Sequence, residues 1–173
     1  MGVKETLTWN EFSYNVQTWA KERGIYDHST PEAQLLKALS ELGEVADAVI
    51  KNDHEGLIDG IGDVAVCMVN HSKMVDVNVG DYFLNLIEEE DIIEKTNSDI
   101  VGVISLAIGM LLSPSPSDNS KETLMYMVDT VLHCLVVLSD FHKINFMDCC
   151  SQAWDEIKDR KGRMVEGGAF VKE

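Results

Sequence analysis

Proline is scarce in this chain, with three in 173 residues. That excludes a proline-rich linker or polyproline architecture, and the long helix-period stretches left uninterrupted predict an all-α protein. Cysteine is also sparse. Cys67, Cys134, Cys149 and Cys150 form no CxxC pair and no zinc-finger spacing. Their mostly apolar helical context points to reduced core thiols and a cytoplasmic setting. Basic residues are few, 14 against 30 acidic ones, for a formal charge of −16. Such a chain repels nucleic acid backbones and anionic membranes, so neither is expected as a partner. No signal peptide is visible, and no apolar run reads as long enough to cross a bilayer.

What the chain has is hydrophobic material, 45% of its residues, enough for a sizeable buried core. A single all-α helical-bundle domain over 1–173 is expected: an acidic half at about 1–80, a helical extension at about 81–145, and a basic C-terminal helix and tail over 146–173. The periodicity predicts helices at Thr8–Arg23, from Ser29 or Thr30 to Lys51, and at Glu55–Val75. Another should follow "VNVGD" into "EEEDIIEK", with more at Asp99–Leu112, Lys121–Lys143 and Asn145–Arg163. Residues 113–120, "SPSPSDNS", read as a loop, and "GGAFVKE" as an extended or frayed tail.

A faint, degenerate internal repeat is visible between "LIDGIGDVAVCMVNHSKMVDVNVGD" and "MVDTVLHCLVVLSDFHKINFMD". Each has an apolar helix, an Asp, a Lys near its end and a closing Asn and Asp. Read this way, His133 stands where Asp63 stood, as a core or interface residue.

The informative stretch is "ELGEVADAVIKNDHEGLIDGIGDVAVCMVN", residues 41–70. Glu41 and Glu44 lie one helical turn apart, as do Asp59 and Asp63. In the first helix the apolar stripe reads as Leu35, Leu39, Leu42, Ala46 and Val49, which puts Glu41 and Glu44 on the opposite, solvated side with Lys37. The second helix is apolar almost all round, which implies burial on several sides and leaves Asp59, Asp63 and Asn70 in one narrow polar stripe. Buried carboxylates need partners, and that helix holds only Lys73, so a divalent cation is the economical answer. Two antiparallel helices could aim Glu41/Glu44 at Asp59/Asp63. An oxygen-only donor set suits magnesium, with manganese as substitute, and the usual guest of such an ion is a phosphate chain. Trp9 and Phe12, one turn apart, suit either a core helix or a nucleobase stack, and Asn70 either a sugar or phosphate contact or a buried polar one.

These residues resemble a known family. "SELGEVADA" followed by "LIDGIGDVAV" is similar to the ExxE…ExxD motif of the all-α nucleoside triphosphate pyrophosphohydrolases of the MazG-like superfamily, and "AWDEIKDRKGRMVEGGAFVKE" resembles the C-terminus of phage and bacterial MazG-like proteins. The resemblance implies a fold of that type and hydrolysis of a nucleoside triphosphate to its monophosphate and pyrophosphate. It implies magnesium held by Glu41, Glu44 and Asp63, with Asp59 as substitute fourth ligand because Gly60 occupies the first position of ExxD. Glu41 or Glu44 would accept a proton from water. Lys158, at the position of the family's NxxK lysine, would hold the triphosphate, with Asp155 at the asparagine position and Arg160 and Lys161 following; Lys37, Asn70 and Trp9, read from their spacing, are further candidate substrate contacts. A homodimer or higher oligomer is also implied. Three positions depart from the pattern: Ser40 replaces an extra glutamate of many members, Gly60 lacks a carboxylate, and Asp155 replaces an asparagine. Two alternatives stay open. One is a narrower relative acting on dUTP or phosphoribosyl-ATP; the other is a helical interaction module whose site has decayed.

Overall fold

The computed structural model describes residues 6–84, 100–111, 120–164 and 170–172. Thr8 starts the first helix, α1 (Trp9–Glu22), with a capping box: its hydroxyl accepts from Glu11 N–H while Glu11 reaches back to Thr8 N–H. Gly24, at φ 70, turns the chain into the short α2 (Ile25–His28). Thr30 caps α3 (Pro31–Lys51), with Pro31 in its first turn. Asn52, in the left-handed region at φ 54, ends α3 and leads at once to α4 (His54–Met74), capped by Asp53. The expected helix bounds thus hold to within a residue or two for these elements.

Helix α4 is the axis of the bundle. It packs against α3 along its length, against α1 and α6 (Lys121–Phe141), and against α7 (Phe146–Ile157). Every residue from Val64 to Ser72 is buried, as all-round apolarity requires. Helix α5 (Ile100–Leu111) lies on α6 much as α3 lies on α4. Trp9, Phe12, Phe83 and Phe146 join α1, a single 3-10 turn (Tyr82–Leu84) and α7 in an aromatic cluster; Trp9 meets Phe83 edge-on at 4.8 Å. The fourth expected helix, over "EEEDIIEK", and the loop at 113–119 lie outside the described residues.

Three expectations need correcting. The C-terminal helix ends at Ile157 rather than near Arg163, where "KDRKG" offers no further apolar side chain to bury. Beyond it, β1 (Gly162–Met164) pairs antiparallel with β2 (Phe170–Lys172), so the described part of the tail is extended, as expected. Among the described residues one helix, Lys121–Phe141, is long and apolar enough by length and composition to cross a bilayer; most of it is buried inside the bundle, where an apolar core helix belongs. The repeat also has a different register. Ser72 and Ser139 each donate to the carbonyl four residues back, Asp76 and Lys143 each take positive φ, and Val77 and Ile144 each bond back to the serine carbonyl at 2.9 Å. These matched helix ends set Thr130, not His133, opposite Asp63. His133 is a buried core residue whose Nδ1 donates to Phe83 O at 3.3 Å.

Candidate active site

A cavity of about 800 Å³ opens between α2, α3, α4 and the end of α7. One end is acidic, lined by Glu41, Glu44, Asp59, Asp63 and Glu156; the other is neutral, lined by Trp19, Ile25, Ser29, Gln34 and Asn70. All four motif acids therefore face one space, because α3 and α4 are joined by a tight turn and run antiparallel.

The face of α3 differs from the sequence expectation. Its buried side runs through Leu35, Ala38, Glu41, Leu42, Val45 and Ala48, while Leu39 and Val49 are only partly covered. Glu41 is thus not on a solvated face: it is 4% exposed, whereas Glu44 is exposed at the mouth. Lys37, one turn earlier, forms an ion pair with Glu41. Burial alone would lower the Lys37 ammonium, but its hydrogen bond and charge contact with Glu41 raise it above the usual lysine range.

The acids crowd one another. Burial foremost, then the Glu41 and Asp59 charges, push Asp63 up to about 6, with Arg160 and Lys37 pulling the other way. Burial also raises Asp59, together with the nearby carboxylate of Glu156 and the charges of Glu41 and Glu44. The cavity thus gathers five carboxylates and two cations. Those cations, Lys37 and Arg160, come from neighbouring elements rather than from α4. Among the described residues no three His, Cys, Asp or Glu side chains are already gathered around one point for a metal ion.

At the neutral end Tyr26 Oη donates to Asn70 Oδ1 at 2.9 Å, and Gln34 Nε2 donates to Ser29 Oγ at 3.1 Å. Cys67 lines the cavity between the two ends, and burial raises its thiol far above the usual range. That keeps it protonated and unreactive. Arg160 stands just past α7, its carbonyl held by Arg23 Nε at 3.1 Å, and Met164 of β1 completes the wall.

Of the residues singled out from sequence, Lys37, Glu41, Glu44, Asp59, Asp63, Asn70 and Arg160 line this cavity. Trp9 does not: it is 3% exposed inside the aromatic cluster, with its indole N–H donating to Val79 O at 3.0 Å, so it is a core residue and not a base-stacking one. Asp155, Lys158 and Lys161 are not among the lining residues either. Lys158 forms an i,i+3 ion pair with Asp155 at 2.5 Å on the outside of α7, which spends its charge locally. Sequence reading passed over Glu156, Tyr26 and Gln34.

Comparison with known proteins gives a family match over part of the chain. Residues 29–91 match the MazG nucleotide pyrophosphohydrolase domain, a span that holds all four motif acids and Asn70. A 59-residue segment is 39% identical to an uncharacterized 18.2 kDa protein in the rep-hol intergenic region of Haemophilus phage HP1, covering 34% of this chain and 36% of that relative. The match therefore spans only about a third of the relative's length. No solved structure matches. The likeness to the MazG family is thus one of residues 29–91, the part of the chain that carries the four acids.

Proposed function

We propose that this protein is a magnesium-dependent nucleoside triphosphate pyrophosphohydrolase that converts a (d)NTP and water to the monophosphate and pyrophosphate, a reaction that cleans or tunes a nucleotide pool. The observation that carries the reading is that Glu41, Glu44, Asp59 and Asp63, from two consecutive helices, all line one cavity whose far end is neutral and part aromatic. That polarity suits a ligand with a charged chain at one end and a base and sugar at the other.

The donor set fits a divalent cation. Its carboxylates outnumber Lys37 and Arg160, its donors are all oxygen, and Asp63 is pushed up by burial and then by the negative charge around it. Glu41, Glu44, Asp59 and Asp63 would hold magnesium, with manganese as a substitute. When bound, the ion supplies the positive charge that lets a triphosphate approach these acids and makes water easier to deprotonate.

The chain's own groups supply the rest. Glu44, exposed at the mouth, accepts the proton of a water attacking the α-phosphorus, while the bond from that phosphorus to the bridging oxygen breaks and pyrophosphate departs. Glu41, buried beside Lys37, holds its oxygens in a fixed direction. Arg160 and Lys37 balance charge on the departing group. Asn70, steadied by Tyr26, and Gln34 offer amides to the sugar or base. Burial holds Cys67 as a neutral thiol, a poor nucleophile, and the reading here is direct attack by water. On the outer side of α3, Leu36 and Ile50 are exposed, 68% and 82%, with open space over Gly43 between them. A face of this kind suits the homo-oligomer implied by the resemblance.

The test is pyrophosphate release from a panel of NTPs and dNTPs, in magnesium and in EDTA, with wild type beside Glu44→Gln. Metal-dependent release lost in the variant is the expected result. No release from any nucleotide, with no effect of magnesium on melting, would return these acids to a structural role.

A further inference from the structure

The ExxD pattern has no carboxylate at its first position, Gly60, and no side chain fits there. A Cβ on Gly60 would lie 2.7 Å from Val45 Cγ2 and 3.4 Å from Val45 N, so α3 occupies the space. We propose that Glu156, on the opposite helix α7, supplies the missing carboxylate, standing with Asp59 as a ligand for the divalent cation of the proposed site. This rests on the reading of the cavity as metal-dependent.

The backbone explains how a residue so distant in sequence arrives there. At Gly62 a Cβ would lie 2.6 Å from Cys149 O and 2.7 Å from Ala153 Cβ. Without one, α4 and α7 close to near backbone contact. The two helices run antiparallel across that point, so one turn back on α4 and one turn on along α7 face each other. Those positions are Asp59 and Glu156, which both line the cavity, near enough for the charge of one to act on the other. Two carboxyls so close hold either a proton or a cation between them. Gln152 Nε2, 3.4 Å from Glu156 Oε1, supports one oxygen from its own helix. The neighbouring acid, Asp155, is engaged with Lys158 and does not line the cavity. Gly60 and Gly62 are thus complementary: one excludes a ligand from α4, the other admits one from α7.

The test is Mn²⁺ binding, followed by the electron paramagnetic resonance of the free ion, alongside melting in EDTA and in magnesium. For Glu156→Gln we expect affinity to fall about tenfold or more, with melting in EDTA unchanged or higher because repulsion at Asp59 is relieved. Glu156→Lys puts a fixed cation beside Asp59; it should melt higher than wild type in EDTA and gain nothing from magnesium. Affinity within twofold of wild type in both Glu156 variants, with loss in Asp63→Asn, would overturn the assignment and leave the proposed function standing. Wild-type affinity in Asp63→Asn as well would sink the metal-site reading itself.

Discussion

Tyr26 on α2 donates its phenolic hydrogen to Asn70 Oδ1 on α4 at 2.9 Å, across the neutral end of the cavity. Because the oxygen of that amide is engaged by a donor, its NH₂ is the side turned to other acceptors. Tyr26→Phe removes the lock while keeping the ring. Leaving a buried acceptor unpaired costs about 1–3 kcal/mol, so the melting temperature should fall. KM for the preferred nucleotide should rise more than kcat falls. Unchanged KM and kcat would place Asn70 outside substrate binding.

The close approach at Gly62 predicts a sharp asymmetry between two glycines of the motif helices. Gly62→Ala forces a methyl against Cys149 O and Ala153 Cβ. Overpacking of this kind costs about 1–3 kcal/mol. Gly43→Ala meets nothing and should stabilise α3 by about 0.5–1 kcal/mol through helix propensity. Urea midpoints of the two variants, shifted in opposite directions from wild type, are the expected outcome.

Charge at the end of α7 should be carried by one residue and not its neighbour. Arg160→Ala removes a cation that lines the cavity, and a lost charged contact is worth about 1.5–3 kcal/mol, or roughly ten- to a hundredfold in kcat/KM. Lys158→Ala, which breaks only the outward pair with Asp155, should leave kcat/KM within about twofold. The reverse pattern would restore Lys158 to the role implied by the resemblance.

The raised Asp63 carboxyl gives a signed pH dependence. Its folded value, about 6, lies above the unfolded value of about 3.9. Between those limits the folded state binds the extra proton, so this group makes the metal-free protein more stable as pH falls through 6 and less stable as pH rises. Buried His71 and His133 work the other way, since burial holds them neutral when folded. The diagnostic is therefore a difference: melting in EDTA between pH 4.5 and 7.5, wild type minus Asp63→Asn. That difference should grow toward acid for wild type. In magnesium it should shrink, because the ion and the proton compete for one carboxylate.

Much of the site was legible because helical spacing is a strong signal. Asp59, Asp63 and Asn70 inside an all-round apolar helix had to face something polar, and they face the cavity. The environment of Glu41 was harder to read. Leu39, Ala46 and Val49 drew the apparent apolar stripe of α3 away from it, whereas the small residues Ala38 and Ala48 with Val45 set the face that packs. Small side chains add little to a hydrophobic pattern yet permit the closest contacts. Glu156 was illegible for a related reason: its place depends on a backbone approach at Gly62, and no local pattern encodes which distant helix a glycine admits. Trp9 shows the limit in the other direction, since an aromatic pair one turn apart reads the same in a core as in a ligand site. The helix ends were read well where caps are local, at Thr8, Thr30 and Asn52. The end of α7 was read too far on, because a charged run can continue a helix or leave it.

The cavity wall is drawn from widely separated parts of the chain, and this has a consequence for its birth. The acids of α3 and α4 meet as soon as the hairpin they form has left the ribosome, while Glu156, Arg160 and Met164 emerge only after α5 and α6. Chains fold from the N-terminus as they are made, so a nascent chain carries the acidic half of the cleft before its far wall has been made. A cleft of this design has all its walls only once α7 and β1 have joined the α3–α4 hairpin.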